Sequence, residues 1–274
     1  MLAAATVLGL VIGAVVGGLG GGGGVLAVPA LVYLLGETPR DATTSSVVIV
    51  GVTAAVGALA RIRSGGVDLR TAAGFGVVGI PAAYLGTLLS HRVAQPVLLL
   101  AFAVLTLAAA GALLLDSRHG GPADCDASIP GGAGGAATAV ATRTSTRAHV
   151  LRSLAWVVVC GVAVGFLTGF LGVGGGFLVV PALVIALRMP MTLAIGTSLL
   201  IIAMNSVSSL VSRIGMPHPD WRVVAPFTLA AVAGALIGKR VGERLSAATL
   251  TTSFAVLLLL VGLAVGVQST LALR

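Results

Sequence analysis

Two runs of glycine carry the clearest chemical signal in this sequence. The stretch GGLGGGGGVLAVPAL at residues 17–31 returns as GFLGVGGGFLVVPAL at residues 169–183, with eleven of the fifteen positions identical. A glycine run inside an apolar helix breaks that helix, and the N–H groups that begin the next one have no backbone partners. Because these N–H groups lie at the positive end of a helix dipole, they can bind an anion without a charged side chain.

The glycine runs therefore supply the first candidate substrate-binding residues. These are Gly20, Gly22, Gly23 and Gly24 in the first copy and Gly172, Gly174, Gly175 and Gly176 in the second. Pro29 and Pro181 follow at equivalent positions and are expected to kink or limit the short segments after the breaks. Glycines of this kind also permit close helix packing. An anion site and a purely packing role both stay open on the sequence alone.

Hydroxyl and amide side chains within the apolar segments form the second candidate set. Ser45 and Ser46 correspond to Thr197 and Ser198 in the second half, and Asn205 lies further along the same segment. Polar groups inside a membrane span usually face the bundle interior, where neutral donors can bind a small oxyanion. The alternative is that the hydroxyls hydrogen-bond to their own helix backbone, which is common.

Groups for acid–base, metal or nucleophilic chemistry are not found deep in the apolar segments. Asp41, Asp68, Asp220 and Glu243 lie at segment edges, and the four histidines lie in loops. No metal-ligand set and no nucleophile–base pair is visible, so the sequence predicts no enzyme, no metal and no cofactor. A GxGxxG match at residues 18–23 lacks a strand–turn–helix context and is not repeated in the second copy, which argues against a dinucleotide site.

The composition is that of an integral membrane protein. The 274 residues are 57% hydrophobic and 9% charged, and the mean hydropathy is +1.12. The net charge of +8 comes from residues in short gaps between apolar segments, so no nucleic acid partner is predicted. The expected partners are a small anionic substrate and the lipid bilayer, with a homodimer as a possible assembly. The first apolar run has no Lys or Arg before it and is expected to be a retained membrane helix.

A constant offset of 152 residues aligns the two halves without a gap. Gly9, Gly13 and Gly17 fall on Gly161, Gly165 and Gly169, and their four-residue spacing predicts close helix packing. The predicted organisation is a first membrane repeat at 1–115, a flexible polar linker at 116–152 and a second membrane repeat at 153–274. The predicted fold is an all-α integral membrane protein whose homologous halves are inverted repeats. It has about 8–10 transmembrane segments, with broken or re-entrant Gly-rich helices.

The distribution of basic residues predicts an orientation. With five segments in each half and ten crossings, eleven Lys and Arg residues fall on one side and five on the other. The positive-inside rule then places the linker in the cytoplasm and both termini outside. If each short segment does not cross, there are instead eight spans in parallel halves and a split of ten to six, which fits the rule less well. Arg61, Arg63 and Arg213 can either guide anions toward a pore or extend their side chains to the membrane interface.

The paired glycine motifs, together with the TTSS and GTS that follow them and the two-half length, resemble the TauE/SafE family of sulfite exporters. These are bacterial and archaeal membrane permeases, and the resemblance covers nearly the whole chain except the linker. It implies a multi-pass protein of the cell inner (cytoplasmic) membrane that moves sulfite, sulfonates or related sulfur-containing anions. Alternating access around a site between the halves is the expected mechanism. An anion channel and a non-transporting membrane scaffold are the alternatives.

Overall fold

The fold is all helical over the described part of the chain, as predicted. The computed structural model describes residues 2–21, 23–24, 26–27, 30–31, 39–90, 95–118, 145–171, 176–211 and 221–272, and these residues include no strand. The helices are α1 (Leu2–Leu19), α2 (Pro39–Ile62), α3 (Leu69–Ser90), α4 (Gln95–Arg118), α5 (Ser145–Leu171), α6 (Gly176–Pro181), α7 (Met191–Val211), α8 (Trp221–Gly242) and α9 (Ala247–Ala272).

Several helices have the length and apolarity that a membrane span requires. Within the described ranges, four stretches qualify: Thr44–Ile62, Met191–Val211, Val224–Gly242 and Ala247–Val267. Four shorter apolar stretches of 10–17 residues accompany them: Thr6–Leu19, Leu100–Leu115, Val157–Phe170 and Gly176–Ala186. Large side chains such as Val77, Leu229 and Leu263 are exposed on the outer faces of helices. Such faces suit contact with lipid tails, and the number of crossings stays a prediction.

Helix occupies both ends of the predicted linker. α4 ends at Arg118 and α5 begins at Ser145, which is eight residues before the predicted start of the second repeat. Residues 119–144, the rest of the predicted linker, lie outside the described ranges.

The packing of the helices follows the 152-residue repeat. α1 packs along α8 and α3 packs along α5, and the offset of 152 exchanges these two pairs. The other two extensive contacts, α2 with α7 and α4 with α9, each join a helix to its own counterpart. Every one of these contacts joins the first half to the second, so neither half packs as a separate domain.

Glycines allow the closest of these approaches. A Cβ atom on Gly13 or Gly17 would overlap the backbone of α8, and one on Gly165 or Gly169 would overlap the backbone of α3. Small residues at four-residue spacing let two helix backbones touch in this way. The predicted packing role of the GxxxG faces is therefore confirmed in both halves.

The short segment after the second glycine run lies in the centre of the bundle. All six residues of α6 are buried, and the ring of Phe177 packs edge-on against Phe102 with ring centroids 5.0 Å apart. At Pro181 the α-helix changes to a π-helix, Ala182–Ala186. Proline has no N–H for the usual helix hydrogen bond, and a π-turn is one way a helix continues past such a defect. Pro29, its counterpart, lies outside the described residues.

Candidate functional site

The first glycine run begins where α1 ends. There is no room for a side chain at Gly20, because a Cβ atom would lie 2.8 Å from the Cα of Ile195 and 2.9 Å from Oγ of Ser198. Its φ is also +84°. Its N–H donates to the carbonyl oxygen of Val16 at 2.8 Å, which closes the last turn of the helix. A glycine with positive φ is a common helix C-terminus, because other residues are strained in that conformation.

Ser198 connects the end of α1 to α7. This buried serine places its Oγ 3.0 Å from the carbonyl oxygen of Gly20 and 2.8 Å from that of Ile195. A hydroxyl group has a single hydrogen to donate, so the two carbonyls share one donor. The position predicted from the sequence as a candidate donor is thus directly beside the first glycine run.

The two glycine runs meet next to the middle of α7. A Cβ on Gly21 would overlap the carbonyl oxygen of Gly176, and one on Gly176 would lie 3.2 Å from the carbonyl oxygen of Gly21. The side chain of Ile202, which is 1% exposed, packs against both glycines. We call Gly20, Gly21, Gly176, Ser198 and Ile202 the glycine junction.

Two other glycines of the first run have different surroundings. A Cβ on Gly23 would overlap the side chain of Val16 and lie 2.9 Å from the carbonyl oxygen of Ile12, so this residue packs against α1. A Cβ on Gly24 would meet only Val50, at 3.6 Å, which is an ordinary contact. Gly24 and Val50 are the counterparts of Gly176 and Ile202, so both halves place an aliphatic side chain of α2 or α7 at this point.

Thr197 serves a different contact from its neighbour Ser198. Its Oγ1 donates to the carbonyl oxygen of Leu193 at 2.8 Å and accepts the N–H of Asp68 at 3.0 Å. Gly196 lies against the carbonyl of Gly66 in the same loop. The loop between α2 and α3 is therefore held against the first half of α7, and Thr197 is engaged in that contact.

Two polar atoms predicted for the site are buried without partners. Ser45 Oγ and Asn205 Oδ1 have no hydrogen-bond partner among the described residues, and Ser45 is completely buried. Ser46 is also buried and takes part in an interaction of its own. An unpaired buried polar atom costs about 1–3 kcal/mol, so such atoms are suited to a ligand or a bound water.

A carboxylate caps α3 next to Thr197. Asp68 accepts hydrogen bonds from the Thr71 hydroxyl at 2.7 Å, the Thr71 N–H at 3.3 Å and the Arg70 N–H at 3.0 Å. Partial burial acts to raise the pKa of Asp68, but the hydrogen bonds from Thr71 and Arg70 and the charge of Arg70 outweigh it, so the pKa lies below its usual value.

Part of the predicted site cannot be placed. Gly22, Gly172, Gly174 and Gly175 lie outside the described residues. Of the remaining candidates, Gly20, Gly176 and Ser198 come together at the junction. Within the described ranges, no group of three or more His, Cys, Asp or Glu side chains could hold a metal ion.

Sequence reasoning missed two members of the junction. Gly21 belongs to the first glycine run but is not among the predicted residues. Its equivalent in the second half is Val173, so the repeat gives no sign that a glycine is needed at this position. Ile202 was missed because an isoleucine in an apolar helix gives no signal of a special role. It follows Ile195 by seven residues, which places the two side chains on the same helix face, and the structure brings Ile195 against Gly20.

Comparison with known proteins gives a consistent result. Residues 5–265 match the family model of the sulfite exporter TauE/SafE. A probable membrane transporter protein of Xylella fastidiosa (strain Temecula1) is 33% identical over 237 residues, which cover 86% of this chain and 83% of that protein. The probable membrane transporter protein YunE of Bacillus subtilis (strain 168) is 28% identical over 279 residues, covering 96% and 94% of the two chains. No solved structure matches.

These relatives and the apolar helices make this a multi-pass membrane protein of a transporter family rather than of an enzyme class. The match over residues 5–265 leaves only short ends of the chain uncovered. The chain belongs to the sulfite exporter TauE/SafE family.

Proposed function

We propose that this protein is a permease that moves a small sulfur-containing oxyanion, such as sulfite or a sulfonate, across the cytoplasmic membrane by alternating access. The single observation that carries the proposal is the contact of Gly21 with Gly176, where the two broken segments meet inside the bundle. Broken helices that meet at the interface of two repeats are the usual site of substrate binding in secondary transporters. The match to the sulfite exporter family supports an oxyanion as the substrate.

The contacts between counterpart helices support inverted repeats. Along α2 and α7, Gly51 lies against Ser206 whereas Gly57 lies against Leu199, so these two helices run antiparallel. α4 and α9 also run antiparallel, since Gly262 lies against Leu107 and Gly266 against Ala103. A two-fold axis that relates antiparallel counterparts is perpendicular to them. If these helices cross the bilayer, that axis lies in the membrane plane.

The helix directions also support ten crossings. α1 and α2 end side by side, because Nη2 of Arg61 in the last turn of α2 donates to the carbonyl oxygen of Gly17 at 2.8 Å. α8 ends there too, since Nζ of Lys239 donates to the carbonyl oxygen of Ala60 at 2.7 Å. Two consecutive helices that point the same way require the chain to return between them. In this arrangement the linker lies on the side with eleven basic residues, which the positive-inside rule assigns to the cytoplasm.

The donor shared by two carbonyls suggests how binding is linked to movement. In the structure the Ser198 hydroxyl donates toward the carbonyl oxygens of Gly20 and Ile195. An oxyanion that accepts this hydrogen releases Gly20 from α7, and backbone N–H groups of the glycine runs complete its coordination. Binding then loosens the contact of α1 with α7 and favours a second arrangement of the halves.

The experiment is counterflow in proteoliposomes. Vesicles that contain purified protein are loaded with unlabelled sulfite, and their uptake of [³⁵S]sulfite is measured. This uptake is compared with that of the same vesicles loaded with buffer that contains no sulfite. A permease with alternating access gives saturable uptake that internal sulfite accelerates. When valinomycin and equal potassium on both sides hold the membrane potential at zero, an anion channel gives flux that internal substrate does not accelerate. A scaffold gives no flux above protein-free vesicles. Either of these results contradicts the proposal.

A further inference from the structure

A buried arginine lies close to the glycine junction, and not all of its hydrogen-bond donors have a partner among the described residues. Arg61, in the last turn of α2, is only 6% exposed. Its Nη2 donates to the carbonyl oxygen of Gly17 at 2.8 Å, but its Nε has no hydrogen-bond partner among the described residues. Leaving a charged donor buried and unpaired is costly, and ionisable groups held inside membrane proteins in this way are usually functional.

The neighbouring charges leave this region with an excess of positive charge. Nζ of Lys239 donates to the carbonyl oxygen of Ala60 and lies 3.5 Å from the carboxylate of Glu243. Glu243 is also close enough to attract the charge of Arg61. Two buried or half-buried cations thus share one half-exposed carboxylate. The carbonyl ends of α1 and α2 stabilise both cations without cancelling their charge.

Arg61 lies near the proposed substrate site at the glycine junction. Its carbonyl partner Gly17 precedes Gly20 by three residues, and the helical hydrogen bond from Gly20 to Val16 continues α1 to that point. Three residues of α-helix rise about 4.5 Å. The guanidinium therefore binds the backbone within about one helical turn of the glycine junction, on the side where α1, α2 and α8 end.

We infer that Arg61 binds a small oxyanion through its free Nε–H, at a second position next to the glycine junction. This inference rests on the proposed function, because it makes Arg61 the charged residue that receives the anion before or after the junction does. The net positive charge shared with Lys239 and Glu243 attracts the anion, and the planar guanidinium favours an oxygen-bearing anion over chloride. The fixed hydrogen bond to Gly17 orients the guanidinium.

The test is direct binding, which does not depend on transport. Protein in phosphatidylcholine nanodiscs is unfolded thermally in increasing sulfite, thiosulfate, sulfate or phosphate, with chloride at matched ionic strength. We expect at least one oxyanion to raise the Tm saturably, since a ligand of the folded state stabilises it by mass action. Arg61→Lys keeps the charge and a donor for the Gly17 carbonyl. It should keep the Tm without anion but weaken oxyanion binding by roughly tenfold to a hundredfold.

Two further variants separate binding from folding. Arg61→Gln is expected to lose the part of the saturable shift that depends on Arg61 and to keep only the part that the glycine junction contributes. Arg63→Gln, which changes an exposed cation two residues away, should bind as the wild type does. The inference is overturned if no oxyanion shifts the wild type, or if Arg61→Lys and Arg61→Gln both bind normally. It is also overturned if phosphatidylglycerol in the nanodisc removes the shift, because the guanidinium would then hold the headgroup of an anionic lipid. Arg61-dependent binding without counterflow would instead refute the permease and leave this site standing.

Discussion

The backbone of Gly21 lies directly against the backbone of Gly176, although the two residues belong to opposite halves of the chain. No side chain separates the two broken segments at this point, and Ile202 covers the contact from α7. A close contact between two backbones places polar groups of both repeats at one position inside an apolar bundle.

The first prediction concerns the contact itself. Gly21→Ala places a Cβ where the carbonyl oxygen of Gly176 lies, so the two segments must separate. We expect this variant to lower the free energy of unfolding by about 1–3 kcal/mol, the usual cost of overpacking, and to lose most of its sulfite counterflow. Unfolding is measured by titration with SDS in mixed micelles. The matched control is Gly111→Ala in α4, whose Cβ meets no atom within 4 Å, so it should cost no stability and should leave counterflow unchanged. Equal behaviour of the two variants would contradict the assignment of the junction.

The second prediction concerns the shared hydroxyl donor. Ser198→Ala removes the hydrogen that the carbonyl oxygens of Gly20 and Ile195 share and that a bound oxyanion would accept. A neutral hydrogen bond contributes about 0.5–1.5 kcal/mol, so the KM for sulfite uptake should rise roughly two- to tenfold. Thr252→Val is the control, because this exposed hydroxyl donates only to the carbonyl of Ala248 in its own helix. If the KM of Ser198→Ala equals that of the control, Ser198 does not bind the substrate.

The repeat in the sequence predicts much of this arrangement, because packing between equivalent helices must obey the same symmetry. Gly13 and Gly165 illustrate this: each meets a helix backbone, and the two partners are themselves related by the offset of 152. The junction is only partly predictable. Gly23 and Gly21 look alike in a run of five glycines, yet one packs against α1 and the other against Gly176. Which direction each glycine faces depends on how α1 ends at Gly20.

Polar side chains show a similar limit. Ser198 was predicted as a possible donor, and the structure places it beside Gly20. The adjacent Thr197 looks equivalent in sequence, but one residue turns a helix by about 100°, so it faces the loop that contains Asp68 instead. The hydrogen bond from Arg61 to Gly17 depends on the common direction of α1 and α2, which no local pattern encodes.

The third prediction is a pH dependence that arises from Asp68. Its pKa in the folded protein lies below the unfolded value, so its contribution to stability is complete above the unfolded value of about 3.9 and is lost as the pH falls through the folded pKa. Asp68→Ala removes the N-cap of α3 and should cost about 0.5–2 kcal/mol at pH 7. The difference in Tm between wild type and variant should be constant from pH 7 to about 5 and should shrink below about pH 4. A difference that grows as the pH falls would contradict this sign.

The fourth prediction concerns orientation in the membrane. If the repeats are inverted and the linker is cytoplasmic, Cys125 in the linker should react with a membrane-impermeant maleimide only after intact cells are permeabilised. Cys160 is buried in α5 and should remain unlabelled in both conditions, so the Cys160→Ser variant should give the same pattern as the wild type. A cysteine introduced at Ser246, an exposed residue between α8 and α9, provides a second reporter for the same side. Labelling of Cys125 in intact cells would show that the linker lies outside and that the predicted orientation is wrong. The ten-crossing arrangement places Cys125 and the cysteine at position 246 on the same side of the membrane, where α1, α2 and α8 end. If one of them is labelled in intact cells and the other is not, this arrangement is contradicted.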